Sequence, residues 1–333
     1  GDPRDLHSFP TRRSSDLSGG KAAIGGSGNI IDIRENATAT IRGDSVVKSE
    51  STIDVKAENV NHLVTVTEAG GSSDQVGVEG AVSINTITGG AVAAIDDDAD
   101  VDAGGNISVE AKGTAKTISV AGGVVATKGQ VGIGFAVSLN TIDTDASAYI
   151  GNYDPLQQDD VPALGQVSTD GSLTVKATSS NEIGAYSVTG ALATNSTAQT
   201  EVPKDAQETK DGAGSVAGSS GSGKGTFGIA VSGDASVNDI TSDTLAYISD
   251  GATVSQAGNA TLSATNTLAV NALAGAVTIS TQQEGNGLAG SYSQNTLGGT
   301  TAAYLDDASL TISGDLDMDA QVNGEINTIS ASV

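Results

Sequence analysis

Residues 80–114 read GAVSINTITGGAVAAIDDDADVDAGGNISVEAKGT, and the end of that stretch decides the fold. In Ile107-Ser-Val109-Glu-Ala111 apolar side chains alternate with polar ones, the period of a strand with one dry face and one wet face. Gly104-Gly105-Asn106, just before it, supplies a corner, because Gly tolerates positive φ and Asn bonds its own backbone. The same alternation returns at Ile53 to Ala57, Leu173 to Ala177, Ala260 to Ala264 and Leu316 to Ala320. Ahead of it stands a second anchor, Ala-x-Ile or a near variant, at Ala39 to Ile41, Ala93 to Ile95, Ala148 to Ile150, Ala246 to Ile248 and Ala303 to Leu305. Subtracting the first positions gives spacings of 54, 55, 98 and 57 residues. Eight residues before the last position of each anchor is a further aliphatic: Ile33, Ile87, Ile142, Ile240 and Leu297.

A fixed period of this size is the mark of a repeat architecture. The expected fold is all-β, a right-handed parallel β-helix (β-solenoid) of about five degenerate units of ~55 residues. Each unit divides into about three coils of 18–19 residues, and at ~4.8 Å per coil the five units make a rod of roughly 70 Å. Composition agrees with a thin repetitive body. Of 333 residues 44 are Gly and 3 are Phe, none is Trp, and aromatics make up 3%, too little bulk for a thick single core. Small independent antiparallel domains of one repeat each are the rival, and without disulfides they would be marginal alone.

Residues 1–17 stand apart. Their string His7 to Leu17 resembles a translated sequencing adapter, and the segment is set aside as an artefact or a disordered leader. The solenoid region is then 18–333, with units at 28–75, 76–130, 131–226, 227–285 and 286–333. The third unit is lengthened by loop insertions at 152–166, which carries two Pro, and at 194–226, which is polar and rich in Gly and Ser. Because the chain opens inside one unit and closes inside another, it reads as continuous with further repeats of a longer chain.

The formal net charge is -25. So acidic a surface excludes binding of nucleic acid by counterion release and disfavours anionic membranes. No apolar run approaches the ~20 residues of a membrane helix, so membrane insertion by this segment is not expected. The absence of Cys removes disulfides, zinc knuckles and thiol catalysis together.

Little in the repeats suggests catalysis. His62 is the one His beyond the leader, and no Gly-x-Ser-x-Gly elbow accompanies it. The carboxylate groups recur at one corner of successive units, whereas an active site is a single local cluster. The chain is therefore expected not to be an enzyme and to hold no cofactor. One minority site is calcium at Asp96, Asp98, Asp100 and Asp102, within a run of five carboxylates in seven residues. A second is the exposed turn Arg42-Gly43-Asp44, the tripeptide that integrins recognise, as an adhesive site. Asn85, Asn140, Asn238 and Asn295 each stand two residues before the aliphatic at offset minus eight. After Ile84, Leu139 and Val237 the next aliphatic comes three residues on rather than two, so the alternation breaks at the Asn, which predicts a bulge or structural corner held by Asn, with an inward amide ladder as part of it.

Segments 80–114 and FAVSLNTIDTDASAYIGN (135–152) resemble the repeats of giant secreted bacterial adhesins, the filamentous-haemagglutinin and leukotoxin-type filamentous adhesin group. The resemblance spans about 28–333. It implies an autotransporter-like passenger from a Gram-negative bacterium, extracellular or on the cell surface. Its function would be that of a non-catalytic structural and adhesive stalk whose loops attach to host-cell, matrix or glycan receptors. Two alternatives stand beside it: a β-helix polysaccharide-degrading enzyme, and a calcium-stabilised surface-layer structural protein.

Overall fold

The computed structural model describes residues 21–96, 98–152, 166–194, 228–249, 251–256, 258–281 and 285–333. The alternating segments form strands, and the Gly-, Asp- and Ser-rich breaks between them form corners. The first repeat contains a long strand β1 (Ala22–Ile41), a short strand β2 (Val46–Ser49) and a second long strand β3 (Ile53–Ser73). The next repeats it as β4 (Val76–Ile95), β5 (Asp100–Ala103) and β6 (Ile107–Thr127), followed by β7 (Val131–Ile150), β8 (Gln166–Thr169) and β9 (Leu173–Ala193). In the fourth the first long strand is split into β10 (Gly228–Thr241) and β11 (Thr244–Ser249), before β12 (Thr253–Gln256) and β13 (Ala260–Ser280). The fifth is split likewise into β14 (Gly285–Gly298) and β15 (Thr301–Asp306), with β16 (Ser309–Ile312) and β17 (Leu316–Ser332).

Strands of the same kind stack into three sheets, and every neighbouring pair is parallel. The front sheet runs β1-β4-β7-β10-β14, with β11 between β7 and β15; the narrow side sheet is β16-β12-β8-β5-β2 and the back sheet β17-β13-β9-β6-β3. Parallel strands in stacked sheets, returned by the chain through a third short sheet, are the arrangement of a β-solenoid.

The register corrects the expected coil size. Ile41 pairs with Ile95 and Ile95 with Ile150, while Val55 pairs with Val109 and Val109 with Val175. Anchors one period apart are thus neighbours across a single strand spacing, and a unit of about 55 residues is one coil, not three. Strand length is the reason. β1, β4 and β7 are 20 residues long and β3, β6 and β9 are 21, several times the ~5–6 residues of an ordinary strand. The five coils span roughly 24 Å along the stacking axis at ~4.8 Å each, so the rod of roughly 70 Å is not formed. The long dimension, roughly 66 Å, runs along the strands instead.

The interior changes character along that dimension. Near the side sheet it is aliphatic: Ile107, Val109 and Ala111 of the back sheet meet Ala93 and Ile95 of the front sheet and Val101 of the side sheet in one cluster. The residues between them on the back sheet are wet, and opposite charges pair across coils, Lys112 with Glu58 and Lys116 with Glu182, each at 2.7 Å. Exposed pairs of this kind contribute about 0.2–1 kcal/mol.

At the far end the polarity reverses. Most buried positions there are Ser, Thr, Ala and Gly, among them Ser83, Ser138, Ser236, Thr117 and Thr189, with Glu79, Asp234 and Val125 beside them. Small residues let the front and back sheets approach closely: a Cβ on Gly123 would lie 2.5 Å from the Phe135 carbonyl oxygen. The outward positions of the front sheet, by contrast, are large and apolar. The row Ile24, Val78, Ile133, Val231, Leu288 crosses all five coils in register.

Candidate functional site

The Asn residues expected at a corner are in the middle of strands. Asn85, Asn140, Asn238 and Asn295 belong to β4, β7, β10 and β14 and are paired in register. The alternation does not break there. Ile84, Leu139 and Val237, which suggested the break, lie on the outer face, so that Asn keeps the inward phase. Each amide nitrogen donates to the amide oxygen of the next coil: Asn85 to Asn140 at 2.8 Å, Asn140 to Asn238 at 2.8 Å, and Asn238 to Asn295 at 2.7 Å. Each also donates to a Ser hydroxyl two residues earlier, Ser83, Ser138, Ser236 or Ser293. The ladder stops at the first coil because Ile31 occupies the position opposite Asn85, and Asn85 Oδ1 is left without a hydrogen-bond partner. The Ser-x-Asn spacing is readable in the sequence at Ser83, Ser138, Ser236 and Ser293.

Four residues further along, the front sheet bends. Gly89 (φ 132°) and Gly299 (φ 124°) occupy this column, and a Cβ on Gly89 would meet the Glu35 carbonyl oxygen at 1.8 Å. In the fourth coil the bend falls at Ser242 and Asp243, between β10 and β11. Amides from the back sheet cross the interior to hold it. Asn59 Nδ2 donates to the carbonyls of Glu35 and Gly90, Asn266 Nδ2 donates to the Ser242 carbonyl at 3.0 Å, and Thr144 donates to Asn181 Oδ1 at 2.9 Å. The Asn59 and Asn266 bonds give backbone carbonyls at the bend a partner inside the protein, and the Thr144–Asn181 bond ties the two sheets through their side chains.

On the outer side of the bend, Asp145 Oδ1 accepts from the Asp243 N–H at 2.9 Å, and Asp243 Oδ1 accepts from the Thr300 N–H at 2.6 Å. Burial pushes the Asp145 carboxyl above the usual carboxylate range. The Asp243 N–H opposes that shift, and the nearby charges of Asp243 and Asp143 add to it. Asp234, an inward residue of β10, is raised too, again chiefly by burial, and the Ser187 hydroxyl and Gly275 N–H oppose it. Gly275 N–H donates to Asp234 Oδ2 at 2.9 Å. The two carboxylates are on different strand faces in different coils, so they do not form an acid and base pair.

Tyr149, Tyr247 and Tyr304 form a second ladder, with ring centroids 5.0 Å apart and interplanar angles of 2° and 8°. They occupy the middle position of the Ala-x-Ile anchor in the last three repeats. Their recurrence was visible in the sequence and went unread, because the variable position of an anchor draws no notice.

The remaining expected sites lie on corners or on the side sheet. Arg42-Gly43-Asp44 is the turn from β1 to β2, with Gly43 at φ 66° and the Ser45 hydroxyl donating to the Arg42 carbonyl at 2.7 Å. Arg42 and Asp44 are both exposed. Asp96 and Asp98 flank the next corner, where the Asp96 N–H donates to the Ile41 carbonyl at 2.8 Å. Asp100 and Asp102 point outward from β5, and Asp102 accepts from the Ser168 hydroxyl at 2.6 Å. The four carboxylates are spread over a turn and a strand. Among the described residues, no three of His, Asp and Glu gather as a metal site would require. His62 is exposed on the outer face of β3. The leader 1–17, residue Asp97, nearly all of the 152–166 insertion and all but Thr194 of the 194–226 insertion lie outside the described residues.

No family model, no curated protein and no solved structure matches this chain.

Proposed function

We propose that this chain is a structural and adhesive stalk segment of a secreted or surface-anchored bacterial adhesin of the filamentous-haemagglutinin-like kind. It is a right-handed β-solenoid, non-catalytic and extracellular, and it displays corners and loops for host-cell, matrix or glycan receptors. One observation carries the reading. Polar side chains form ladders that repeat coil after coil, Asn85 to Asn295 inside by hydrogen bonds and Tyr149 to Tyr304 on the opposite face of the front sheet by stacking. Repetition of one group at one spacing serves shape, whereas chemistry needs different groups brought to one place. The register bears on how such a stalk works. Each coil adds about 4.8 Å of reach at a constant breadth of roughly 66 Å, so a short stack already presents a wide face.

The test is a binding screen of residues 18–333 against immobilised glycans, matrix proteins and purified integrins. Saturable binding to at least one class is expected, and loss of any integrin signal in Arg42→Ala would assign it to the β1–β2 turn. Binding to nothing across the set overturns the adhesive part. Release of unsaturated or reducing sugars from a polysaccharide panel overturns the non-catalytic part.

A further inference from the structure

The half of the front sheet remote from the side sheet has an outer face unlike the rest of the surface. From Ala22 to Ile30 on β1, and at the paired positions of β4, β7, β10 and β14, the outward residues are Gly, Ala, Val, Ile, Leu, Phe and Tyr, with Asn286 and Gln294 the exceptions. No charged side chain interrupts it. Along the same sheet, past the Asn ladder, outward positions turn to Asp32, Arg34, Asp143 and Asp239. Large residues outside and small polar ones inside invert the pattern of a strand face that stays in water.

We propose that this face is the contact between two copies of the chain, packed front sheet to front sheet about a two-fold axis. Its size is right for a second copy. Five strands at ~4.8 Å by nine residues at ~3.3 Å cover about 24 by 30 Å, roughly 700 Å² per copy and ~1,400 Å² for the pair, within the range of stable interfaces. Its relief is right as well. Phe135 lies across the next coil where Gly80 has no side chain. Beside it an open groove of about 470 Å³ runs over Gly233 and Gly290 to Tyr292. Tyr292, in its lining, is 53% exposed, and Leu288, two residues before Gly290 on the same strand, is 67% exposed. A face that carries both a groove and the knobs to fill it is self-complementary, as an isologous contact requires. The outer face of the back sheet is less suited, because Glu68, Asn271 and Asn327 break it.

Electrostatics fixes the orientation. With a net charge of -25, copies side by side would hold their acidic halves against each other. A two-fold that overlaps only the apolar halves points the acidic halves in opposite directions, several Debye lengths apart. A lipid surface is the other apolar partner this face could meet. It is the poorer fit, since among the described residues the outer edges of β1 and β14 are unpaired and border the same face, and lipid does not tolerate open sheet edges. The inference goes beyond the adhesive reading and stands without it.

Sedimentation velocity of the full chain from 1 to 100 μM decides the matter, run beside flotation with phosphatidylcholine vesicles. The chain is expected to sediment as a dimer. Val137→Glu, at the centre of the face, is expected to weaken the dimer at least tenfold, and Ile118→Glu, outward on the back sheet, to leave it unchanged. Leu288→Ser with Tyr292→Ser, at positions already exposed, repeats the test should Val137→Glu fail to fold by circular dichroism. A monomer throughout the range overturns the proposal, as does a dimer insensitive to both front-face variants or one broken by Ile118→Glu. Flotation of a monomer with the vesicles, abolished by the front-face variants, overturns it in favour of lipid.

Discussion

Asn140 has a hydrogen-bonded Asn on either side, whereas Asn85 has one on one side only. Replacing Asn140 by Ala removes the acceptor for Asn85 and the donor for Asn238 inside a buried column. Each orphaned group then carries its desolvation penalty, about 1–3 kcal/mol. Replacing Asn85 by Ala orphans Asn140 Oδ1 alone and deletes an acceptor that already lacks a partner. Urea unfolding should therefore show Asn140→Ala destabilised by about 2–4 kcal/mol and Asn85→Ala by about 1 kcal/mol. Equal losses would mean that the amides act singly rather than as a ladder. At this scale the sequence was legible in identity and illegible in placement. The recurrence of Asn was plain, yet Ile84, Leu139 and Val237 beside it counted as inward because apolar residues usually are. The outer face of the front sheet breaks that rule, and the Asn was assigned to a corner in consequence.

At the scale of the element, the bend in the front sheet joins sequence to energetics most directly. Three strands in succession put a carboxylate or a donor for it at the bend, Asp145, Asp243 and Thr300. The Asp145 carboxyl titrates above its unfolded value, so the folded protein holds its proton more tightly than the unfolded chain does. Ionised Asp145 therefore works against the fold at neutral pH, and that contribution fades as pH falls through the raised value towards about 4, the ordinary carboxylate range. Asn at 145 keeps the oxygen that accepts from Asp243 and removes the charge. Asp145→Asn should raise the melting temperature at pH 7 by about 1–2 °C and by less at pH 4. A gain that widens on acidification would assign the effect to another group. The strands themselves were readable wherever the inside is apolar, as in Ile107 to Ala111. Their length was not. In the remote half the inside is largely Ser, Thr, Ala and Gly, so an alternation scored by hydrophobicity loses the strand while the backbone continues it.

For the whole molecule, the equivalence of one unit and one coil is open to direct test. Gln75 and Gln130 precede paired positions, Val76 and Val131, on adjacent coils. Excision of residues 76–130 joins Gln75 to Val131 and removes one full turn of the chain. Phe135 then meets Gly26, a Gly like the residue it now covers. The shortened chain should fold, keep its β-sheet circular dichroism and unfold cooperatively at a midpoint lower by several degrees, since a solenoid loses one nearest-neighbour interface with each coil. Excision of 107–124, a third of a unit, should leave no folded protein. The opposite pair of results would restore the three-coil arrangement. Fold class and period were legible because the aliphatic anchors repeat in register. The number of turns was not, because a period states how far apart equivalent residues are and says nothing of the path between them. That path has a kinetic consequence. Ile53 finds its partner at Ile107 and Ile107 finds Leu173, so hardly a backbone pairing closes locally and each ladder rung waits on a loop of fifty residues or more. Such topology folds slowly from a bare start. Once one turn is in place it offers a ready template to the next, and growth should proceed outward from a nucleus, turn by turn, at a pace set by the first.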